Sequence, residues 1–242
     1  MSFAQNLDSI QQRIRAACRR AGRDEDSVML LAVAKTQPAA AIEEAVRAGQ
    51  MFFGENKVQE AGAKIPLCPG RARWHFIGHL QSNKVRNAVA LFEMIQSVDS
   101  LALAQEISRR CGEAAKPMPV LIEVNVAGEA SKFGYPPEKL LAELATIARL
   151  TRIELQGLMT VPPYATDAEK VRPHFRRLRE LKVQCQKILG APLPHLSMGM
   201  SGDYETAIEE GATIVRIGTA LFGPRQRSPG PKRDNDAAGA QD

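Results

Sequence analysis

The first candidate for chemistry is a lysine, Lys35, that ends an apolar run. Residues 30–34 read Leu-Leu-Ala-Val-Ala, and Thr36-Gln37-Pro38 follows the lysine. An apolar run of this length, stopped by a polar residue and a proline, predicts a buried strand. A lysine at such a strand end commonly lays its stem along apolar surface and keeps its ammonium group in water. The alternative is an amine desolvated at the mouth of a barrel, partly neutral and able to form an imine with a carbonyl compound.

Two later segments have the composition of a phosphate site. Residues 197–203 read Ser-Met-Gly-Met-Ser-Gly-Asp, residues 216–220 read Arg-Ile-Gly-Thr-Ala, and each closes a predicted strand and opens a helix. Backbone N–H groups at helix N-termini attract phosphate. Gly218 would allow a close approach to the backbone, and the Ser201 and Thr219 hydroxyls would add donors. A glycine at a tight strand-to-helix turn is also an ordinary structural requirement.

Arg216 is the second cation that we expect near the same mouth. Its alternative interpretation is a surface ion pair with Glu209 or Glu210, of little energetic weight. A lysine facing an arginine and a phosphate cradle indicates a phosphorylated carbonyl ligand. Pyridoxal phosphate fits, because proteins hold it by a lysine imine with an Asp or Arg at the ring nitrogen. A guanidinium group cannot accept a proton, so the ring would be a poor electron sink, which argues against strongly carbanionic chemistry.

The elements that must position these residues alternate regularly. Apolar positions at Leu7, Ile10, Ile14 and Ala17 predict a helix over residues 3–22, ahead of the first strand. Strand and helix then alternate eight times. The predicted strands are 28–36, 51–56, 74–78, 93–98, 119–126, 153–159, 195–201 and 212–217, and the predicted helices are 38–48, 57–65, 82–92, 101–113, 137–149, 167–189, 203–210 and a short one from 219.

This alternation predicts parallel βαβ units. Eight such units in 242 residues favour an α/β fold with a single closed (β/α)8 TIM barrel; an open doubly wound sheet is the alternative. We expect one domain over residues 1–225, with an extra N-terminal helix and no additional β domain. Residues 226–242 are rich in Pro, Gly, Ala and charge, which predicts a disordered tail. In a barrel, the site lies at the carboxyl ends of the strands, where Lys35, Ser201 and Arg216 are expected.

Composition excludes several classes of protein. The net charge is +5, and the basic residues are scattered among acidic ones. Nucleic-acid binders usually concentrate basic residues on one face, interleaved with aromatic residues. The four cysteines and four histidines are dispersed, which predicts neither a metal site nor a disulfide framework. No apolar run reaches the roughly 18 residues of a membrane span, and the N-terminus has no export-signal pattern. We therefore expect a cytoplasmic protein with no nucleic-acid, membrane or metal partner.

Six segments together resemble the pyridoxal phosphate homeostasis protein family, and the resemblance covers about residues 5–224. The segments are Ala-Lys-Thr at 34–36, Phe-Gly-Glu-Asn at 53–56, Trp-His-Phe-Ile-Gly-His-Leu-Gln-Ser-Asn-Lys at 74–84, Gly-Leu-Met at 157–159, Leu-Ser-Met-Gly-Met-Ser at 196–201 and Val-Arg-Ile-Gly-Thr at 215–219. The family is similar in fold to the barrel domain of bacterial alanine racemase. Its motif often has aspartate directly after the second serine, whereas Gly202 precedes Asp203 here.

The resemblance implies a role for each matching residue. Lys35 would carry pyridoxal 5'-phosphate as a covalent imine, and Arg216 would face the pyridine nitrogen. The residues implied to hold the phosphate are Ser201, Gly218 and Thr219, and those implied to line the site are Met200 and Asn56. The family is thought to bind, buffer and deliver the cofactor, without strong turnover. Apo forms of pyridoxal phosphate enzymes would then be transient partners of a monomer or weak dimer.

Two enzymatic alternatives remain open at the level of sequence. The first is a minimal pyridoxal phosphate-dependent amino-acid racemase. Such an enzyme needs a second base, which racemases take from a tyrosine of an additional domain, and nothing in the sequence marks Tyr135, Tyr164 or Tyr204 as that base. The second is a barrel enzyme that uses Lys35 as an aldolase-like amine on a sugar phosphate.

Overall fold

The barrel predicted from the alternation is present. The structure, a computed structural model, describes residues 2–129 and 132–223. Eight parallel strands pair in chain order, and the last pairs back with the first to close the sheet. The expected tail at 226–242 and the domain boundary at 225 lie outside the described residues. The strands are β1 (Met29–Val33), β2 (Phe52–Glu55), β3 (Arg73–Phe76), β4 (Met94–Val98), β5 (Met118–Glu123), β6 (Ile153–Met159), β7 (His195–Ser197) and β8 (Ile214–Ile217).

A helix follows each strand, and one more precedes the first. They are α1 (Phe3–Arg20), α2 (Ala39–Arg47), α3 (Val58–Lys64), α4 (Val85–Leu91), α5 (Leu101–Glu113), α6 (Pro137–Ala148), α7 (Arg172–Leu189), α8 (Tyr204–Glu209) and α9 (Thr219–Phe222). The closed barrel confirms the predicted (β/α)8 fold and rules out the open sheet. Within the described residues, all eight strands belong to this one barrel.

The N-terminal helix α1 is an addition to the barrel. Its start is fixed by a capping box, in which the Ser2 side chain accepts from Gln5 and the Gln5 side chain accepts from Ser2. Its apolar face, spaced at helical intervals, is buried. Asn6 Nδ2 donates to the carbonyl of Leu221 at 2.9 Å. The helix thereby fastens α9, and with it the end of β8, to the body of the protein.

The seventh strand is shorter than predicted. Residues 195–201 were expected to be extended, but β7 ends at Ser197. Gly199 has φ +93°, and a Cβ there would lie 2.6 Å from the Ala207 side chain. Only glycine tolerates this combination of positive φ and close packing. The segment therefore turns away from the sheet and supplies a loop at the barrel mouth.

The inside of the barrel is partly polar. A small apolar cluster contains Leu31, Met94, Leu121, Met159 and Ile214. TIM barrels usually fill this space with branched apolar side chains. Here several strands also place buried polar side chains inside, namely His75, Gln96, Glu123, Ser197 and Arg216. In the described part of the chain no helix is both long and apolar enough to cross a membrane.

Candidate functional site

A cavity of about 400 Å³ opens at the carboxyl ends of β1, β7 and β8. This is the end of the barrel where the fold places active sites. The cavity walls carry an amine, a guanidinium group, hydroxyls and exposed backbone. The lining residues are Val33, Lys35, Gln37, Tyr164, Ala165, Met200, Ser201, Gly202, Asp203, Arg216, Gly218, Thr219 and Gly223.

The cavity collects most of the residues singled out from the sequence. Its lining includes Lys35, Arg216 and the small residues of the two late segments, namely Met200, Ser201, Gly218 and Thr219. Asn56 is not among the lining residues. It follows β2, its Oδ1 atom is buried without a hydrogen-bond partner among the described residues, and a Cβ on Gly78 would lie 2.2 Å from its carbonyl oxygen.

Lys35 sits at a sharp turn of the backbone. The N–H of Ala34 donates to the carbonyl of Gly54 at 2.9 Å, which continues the sheet up to the residue before the lysine. The next residue, Thr36, has φ +65°. A left-handed conformation is unusual for a β-branched residue and marks local strain. The N–H of Gln37 closes the turn by donating to the Ala34 carbonyl at 3.0 Å.

A buried ion pair holds the start of this turn. Lys64 Nζ lies 2.5 Å from Glu55 Oε1 and donates to the Ala34 carbonyl at 2.8 Å. Glu55 is fully buried, and this burial raises its pKa although the Lys64 ammonium group opposes the change. The Lys64 ammonium group thereby connects the last residue of β2 to Ala34, the residue before Lys35.

The loop after β7 is closed by an aspartate. Asp203 Oδ1 accepts from the N–H of Met200 at 2.6 Å, and the Met200 carbonyl accepts from the N–H groups of Asp203 and Tyr204 at 3.1 and 3.0 Å. Gly202 therefore does not prevent the aspartate from capping the loop, and Ser201 is presented at the cavity. Burial raises the pKa of Asp203 above its ordinary value, although the hydrogen bond from Met200 and the Arg216 charge oppose the change.

The loop after β8 lies against the first strand. A Cβ on Gly218 would be 3.3 Å from the Val33 side chain and 3.4 Å from its carbonyl oxygen. A side chain here would narrow the cavity edge next to Lys35. Thr219 begins a single helical turn, and the first N–H groups of a turn have no acceptor within it. The Thr219 side chain is exposed at the cavity.

Arg216 points into the barrel rather than to the surface. It is 4% exposed; Nη1 donates to Ser197 Oγ at 2.6 Å and Nη2 donates to the Thr160 carbonyl at 2.8 Å. Burial lowers the pKa of the guanidinium group to about 10, against the charges of Glu123 and Asp203, so it is a cation at neutral pH.

The alternative pairing of Arg216 with Glu209 or Glu210 is wrong. Glu209 pairs with Arg20 and Arg172, and Glu210 pairs with Arg172, Arg176 and Arg179. These ion pairs lie on the outer helices, whereas the Arg216 side chain lies inside the barrel.

Sequence reasoning missed a carboxylate inside the barrel mouth. Glu123 ends β5 and is 9% exposed. Burial raises its pKa to about 7, while Arg216 lowers it and Asp99 raises it further. The available signal was the spacing from Leu121: residues two apart on a strand face the same side, so a carboxylate there faces the interior.

The three tyrosines differ in position. Tyr135 is buried and donates to Glu143 Oε2 at 2.9 Å, and Tyr204 is buried under Arg13. Tyr164 lines the cavity and is 87% exposed. Of the three, Tyr164 is therefore the one at the mouth, and its ring stands mostly in solvent.

Comparisons with known proteins identify the family of this chain. Residues 5–226 match the family model described as alanine racemase, N-terminal domain. The curated "Pyridoxal phosphate homeostasis protein" of Aquifex aeolicus is 46% identical over 227 residues, which covers 93% of this chain and 100% of that protein.

Solved structures extend the comparison. PipY of Synechococcus elongatus without PLP is 40% identical to this chain and superposes with a TM-score of 0.83. The match covers 92% of this chain and 100% of PipY. The same protein with PLP bound gives a TM-score of 0.81. Alanine racemase of Clostridium difficile has a TM-score of 0.74 at 14% identity and covers 93% of this chain but 57% of that one. At that identity it shows a shared fold alone.

Proposed function

The chain belongs to the pyridoxal phosphate homeostasis protein family, and on this premise we propose that it binds pyridoxal 5'-phosphate covalently through Lys35 and takes part in intracellular vitamin B6 homeostasis. The observation that carries the proposal is the single cavity that brings Lys35, Arg216, Ser201 and Thr219 together from β1, β7 and β8. These residues are far apart in sequence, and only the closed barrel makes them neighbours.

The donor set fits this cofactor. Bound pyridoxal phosphate supplies an aldehyde that condenses with a primary amine, and Lys35 is the amine that lines the cavity. The Ser201 and Thr219 hydroxyls, with the backbone at Gly218, offer neutral donors for a phosphate group. Met200 provides an apolar wall. Asn56 carries a buried Oδ1 without a partner among the described residues, and we assign it a supporting place at the end of β2.

Arg216 sets the chemical character of the site. A guanidinium group donates hydrogen bonds and does not accept a proton. Placed toward the ring nitrogen, it would keep that nitrogen unprotonated and weaken the ring as an electron sink. The position of this buried cation disfavours amino-acid chemistry that needs the ring as a strong electron sink.

We further propose that the open mouth serves delivery. Tyr164 lines the cavity and is 87% exposed. Aromatic side chains are enriched at protein–protein interfaces, so an exposed tyrosine at the cavity entrance favours a transient protein contact there. Apo forms of pyridoxal phosphate enzymes are the proposed partners, the protein is proposed to act as a monomer or weak dimer, and its proposed location is the cytoplasm.

The test is an absorbance titration of the purified protein with pyridoxal phosphate. We expect a Lys35-dependent band that borohydride fixes onto Lys35 in a mass spectrum. Lys35→Ala should lose the band, and Lys84→Ala, the matched control on a partly buried lysine after β3, should keep it. Equal bands in wild type and Lys35→Ala would refute the assignment.

The racemase alternative is separated by isotope exchange. Tyr164 is the tyrosine at the mouth, so a racemase that used it as a base would exchange the amino-acid α-hydrogen with deuterated water and lose exchange in Tyr164→Phe. We expect no exchange above that of free cofactor. Exchange that depends on both Lys35 and Tyr164 would establish an enzyme.

A further inference from the structure

A continuous row of buried hydrogen bonds runs through the barrel below Arg216. Arg216 Nη1 donates to Ser197 Oγ at 2.6 Å, the Ser197 hydroxyl donates to Gln96 Oε1 at 2.6 Å, and Gln96 Nε2 lies 2.9 Å from His75 Nδ1. All four side chains are buried. We call Ser197, Gln96 and His75 the polar column. The polar column does not line the cavity. Its three residues lie on β7, β4 and β3, and Arg216 adds β8.

The direction of every bond in the column follows from its first donor. A guanidinium group has donors only, so Ser197 Oγ accepts from it and turns its own proton to the Gln96 carbonyl oxygen. The Gln96 amide then presents its NH2 group to His75, and Nδ1 must accept. An accepting Nδ1 requires the neutral imidazole with its proton on Nε2. Burial lowers the pKa of His75 to about 4, which keeps the ring neutral near pH 7.

The column limits how the guanidinium group can turn. One Nη is held by Ser197 of β7 and the other by the carbonyl of Thr160, the residue after β6, at 2.8 Å. These two bonds fix the plane of the group. Because all the bonds point away from the cation, each polarises the next in the same sense. Removal of Gln96 would free the Ser197 proton and loosen the acceptor that Arg216 uses.

An apolar interior would serve stability as well as this column does. Buried polar groups cost free energy unless they are fully hydrogen-bonded, and TIM barrels ordinarily fill this space with Val, Ile and Leu. In this barrel the residues of the polar column occupy interior positions instead, and their row of hydrogen bonds begins at Arg216, a cation that lines the cavity. This placement indicates that the polar column acts on Arg216.

We propose that Ser197, Gln96 and His75 are positioning residues that hold the Arg216 guanidinium group in the orientation from which it meets the ring of bound pyridoxal phosphate. The proposal rests on the proposed function, since it requires the ring to lie at Arg216. It adds residues that do not touch the cofactor and that act only through the arginine.

The structure offers a matched control for the central variant. Ser97 neighbours Gln96 on β4, is fully buried, and its Oγ has no hydrogen-bond partner among the described residues. Ser197→Ala and Ser97→Ala therefore remove the same atom from the same barrel, inside and outside the column. Gln96→Leu removes the amide at nearly constant volume.

The first measurement is the titration with pyridoxal phosphate. Because Arg216 would lose part of the preorganisation with which it meets the ring, the dissociation constant of Ser197→Ala should rise about 10-fold. Gln96→Leu should change it in the same direction, and Ser97→Ala should leave it unchanged. The absorbance of the Lys35-bound cofactor should shift in Ser197→Ala and Gln96→Leu, because the ring nitrogen faces a differently oriented cation. The same affinity and spectrum in Ser197→Ala and Ser97→Ala would overturn the proposal.

The second measurement uses the cofactor-free wild type and so does not depend on a variant that folds. Nitrogen-15 NMR should show separate, slowly exchanging Nη signals for Arg216 and an unprotonated Nδ1 on His75 near neutral pH. Averaged Arg216 signals, or a proton on Nδ1, would refute the column. A wild type that gains no Lys35-dependent absorbance is a different result, because it refutes the proposed function while the NMR spectra still decide whether Arg216 is held.

Discussion

Glu123→Gln is expected to stabilise the cofactor-free protein at alkaline pH and to change its stability little at acidic pH. Glu123 is buried at the end of β5, and burial raises its pKa from 4.5 to about 7. The folded protein therefore binds this proton more tightly than the unfolded chain does. Its contribution to stability is fully present below about pH 4.5 and is lost as the pH rises through about 7.

The size of the stability change follows from the difference between the pKa of Glu123 in the unfolded chain, 4.5, and in the folded protein, about 7. At about 1.4 kcal/mol for each pH unit, the wild type loses roughly 3 kcal/mol of unfolding free energy, most of it between about pH 5 and about pH 8. Glutamine is close in shape to the protonated carboxyl and does not ionise. The variant should therefore exceed the wild type by roughly 2–3 kcal/mol at about pH 8 and by less than about 1 kcal/mol at about pH 5.

The assay is urea unfolding at several pH values, followed by the fluorescence of Trp74, the single tryptophan. The pH dependence of the wild-type unfolding free energy is not decisive by itself, because the contribution of His75 changes with pH in the opposite direction. Burial lowers its pKa from 6.5 to about 4, so its contribution is present above 6.5 and is lost as the pH falls. The difference between wild type and Glu123→Gln cancels this effect.

Glu154→Gln, on an exposed position of β6, controls for the loss of one negative charge. A difference between wild type and Glu123→Gln that stays flat with pH would refute the reasoning. So would a variant that is less stable than the wild type at about pH 8. In either case the Arg216 charge would outweigh the burial of the Glu123 carboxylate.

Two further predictions concern the strand ends around Lys35. Lys64→Met leaves the buried Glu55 without its partner and should lower the unfolding free energy, measured in urea, by roughly 3–5 kcal/mol. Lys57→Met removes an exposed ion pair and should lower it by roughly 0–1 kcal/mol. Equal losses in the two variants would contradict the role of burial. Gly78→Ala places a Cβ 2.2 Å from the Asn56 carbonyl oxygen and should lower the midpoint of thermal unfolding. Gly112→Ala, in α5 with open space around it, should raise that midpoint. An unchanged midpoint in Gly78→Ala would show that the loops after β2 and β3 separate easily.

The elements were predictable from local patterns, and the predicted bounds of β6 and α5 match the structure. In contrast, β1, β5 and β7 end at Val33, Glu123 and Ser197, before the predicted ends at residues 36, 126 and 201. Ser100, a residue type favoured at helix N-caps, caps α5 because its side chain accepts from the N–H of Leu103. The long seventh strand was wrong, because the extended-looking residues after Ser197 contain Gly199, whose positive φ starts a turn. Apolar periodicity reports which side of a strand is buried, but it does not report where a glycine leaves the sheet.

The cavity residues were accessible because the fold places the carboxyl ends of all strands at one mouth. Lys35, Ser201 and Arg216 could each be assigned to a strand end, and closure of the barrel brings strand ends together. The partners of Arg216 were not accessible in this way. The choice between the barrel interior and Glu209 depends on the direction of one side chain, which no spacing rule determines.

The polar interior explains why sequence reasoning stopped at the cavity lining. Gln96 and His75 lie within strands and face inward, where a single sequence gives no sign of which polar residues share a hydrogen-bonded row. Their pairing depends on strand register around the closed sheet: β3 and β4 bring His75 beside Met94, two residues from Gln96, while β7 and β8 place Ser197 beside Ile214, two residues from Arg216. Inward residues two apart on each strand then meet across the barrel axis. A closed barrel therefore joins side chains that no pairwise spacing connects, and the hydrogen bonds that begin at Arg216 run to residues of β3 and β4, which do not line the cavity.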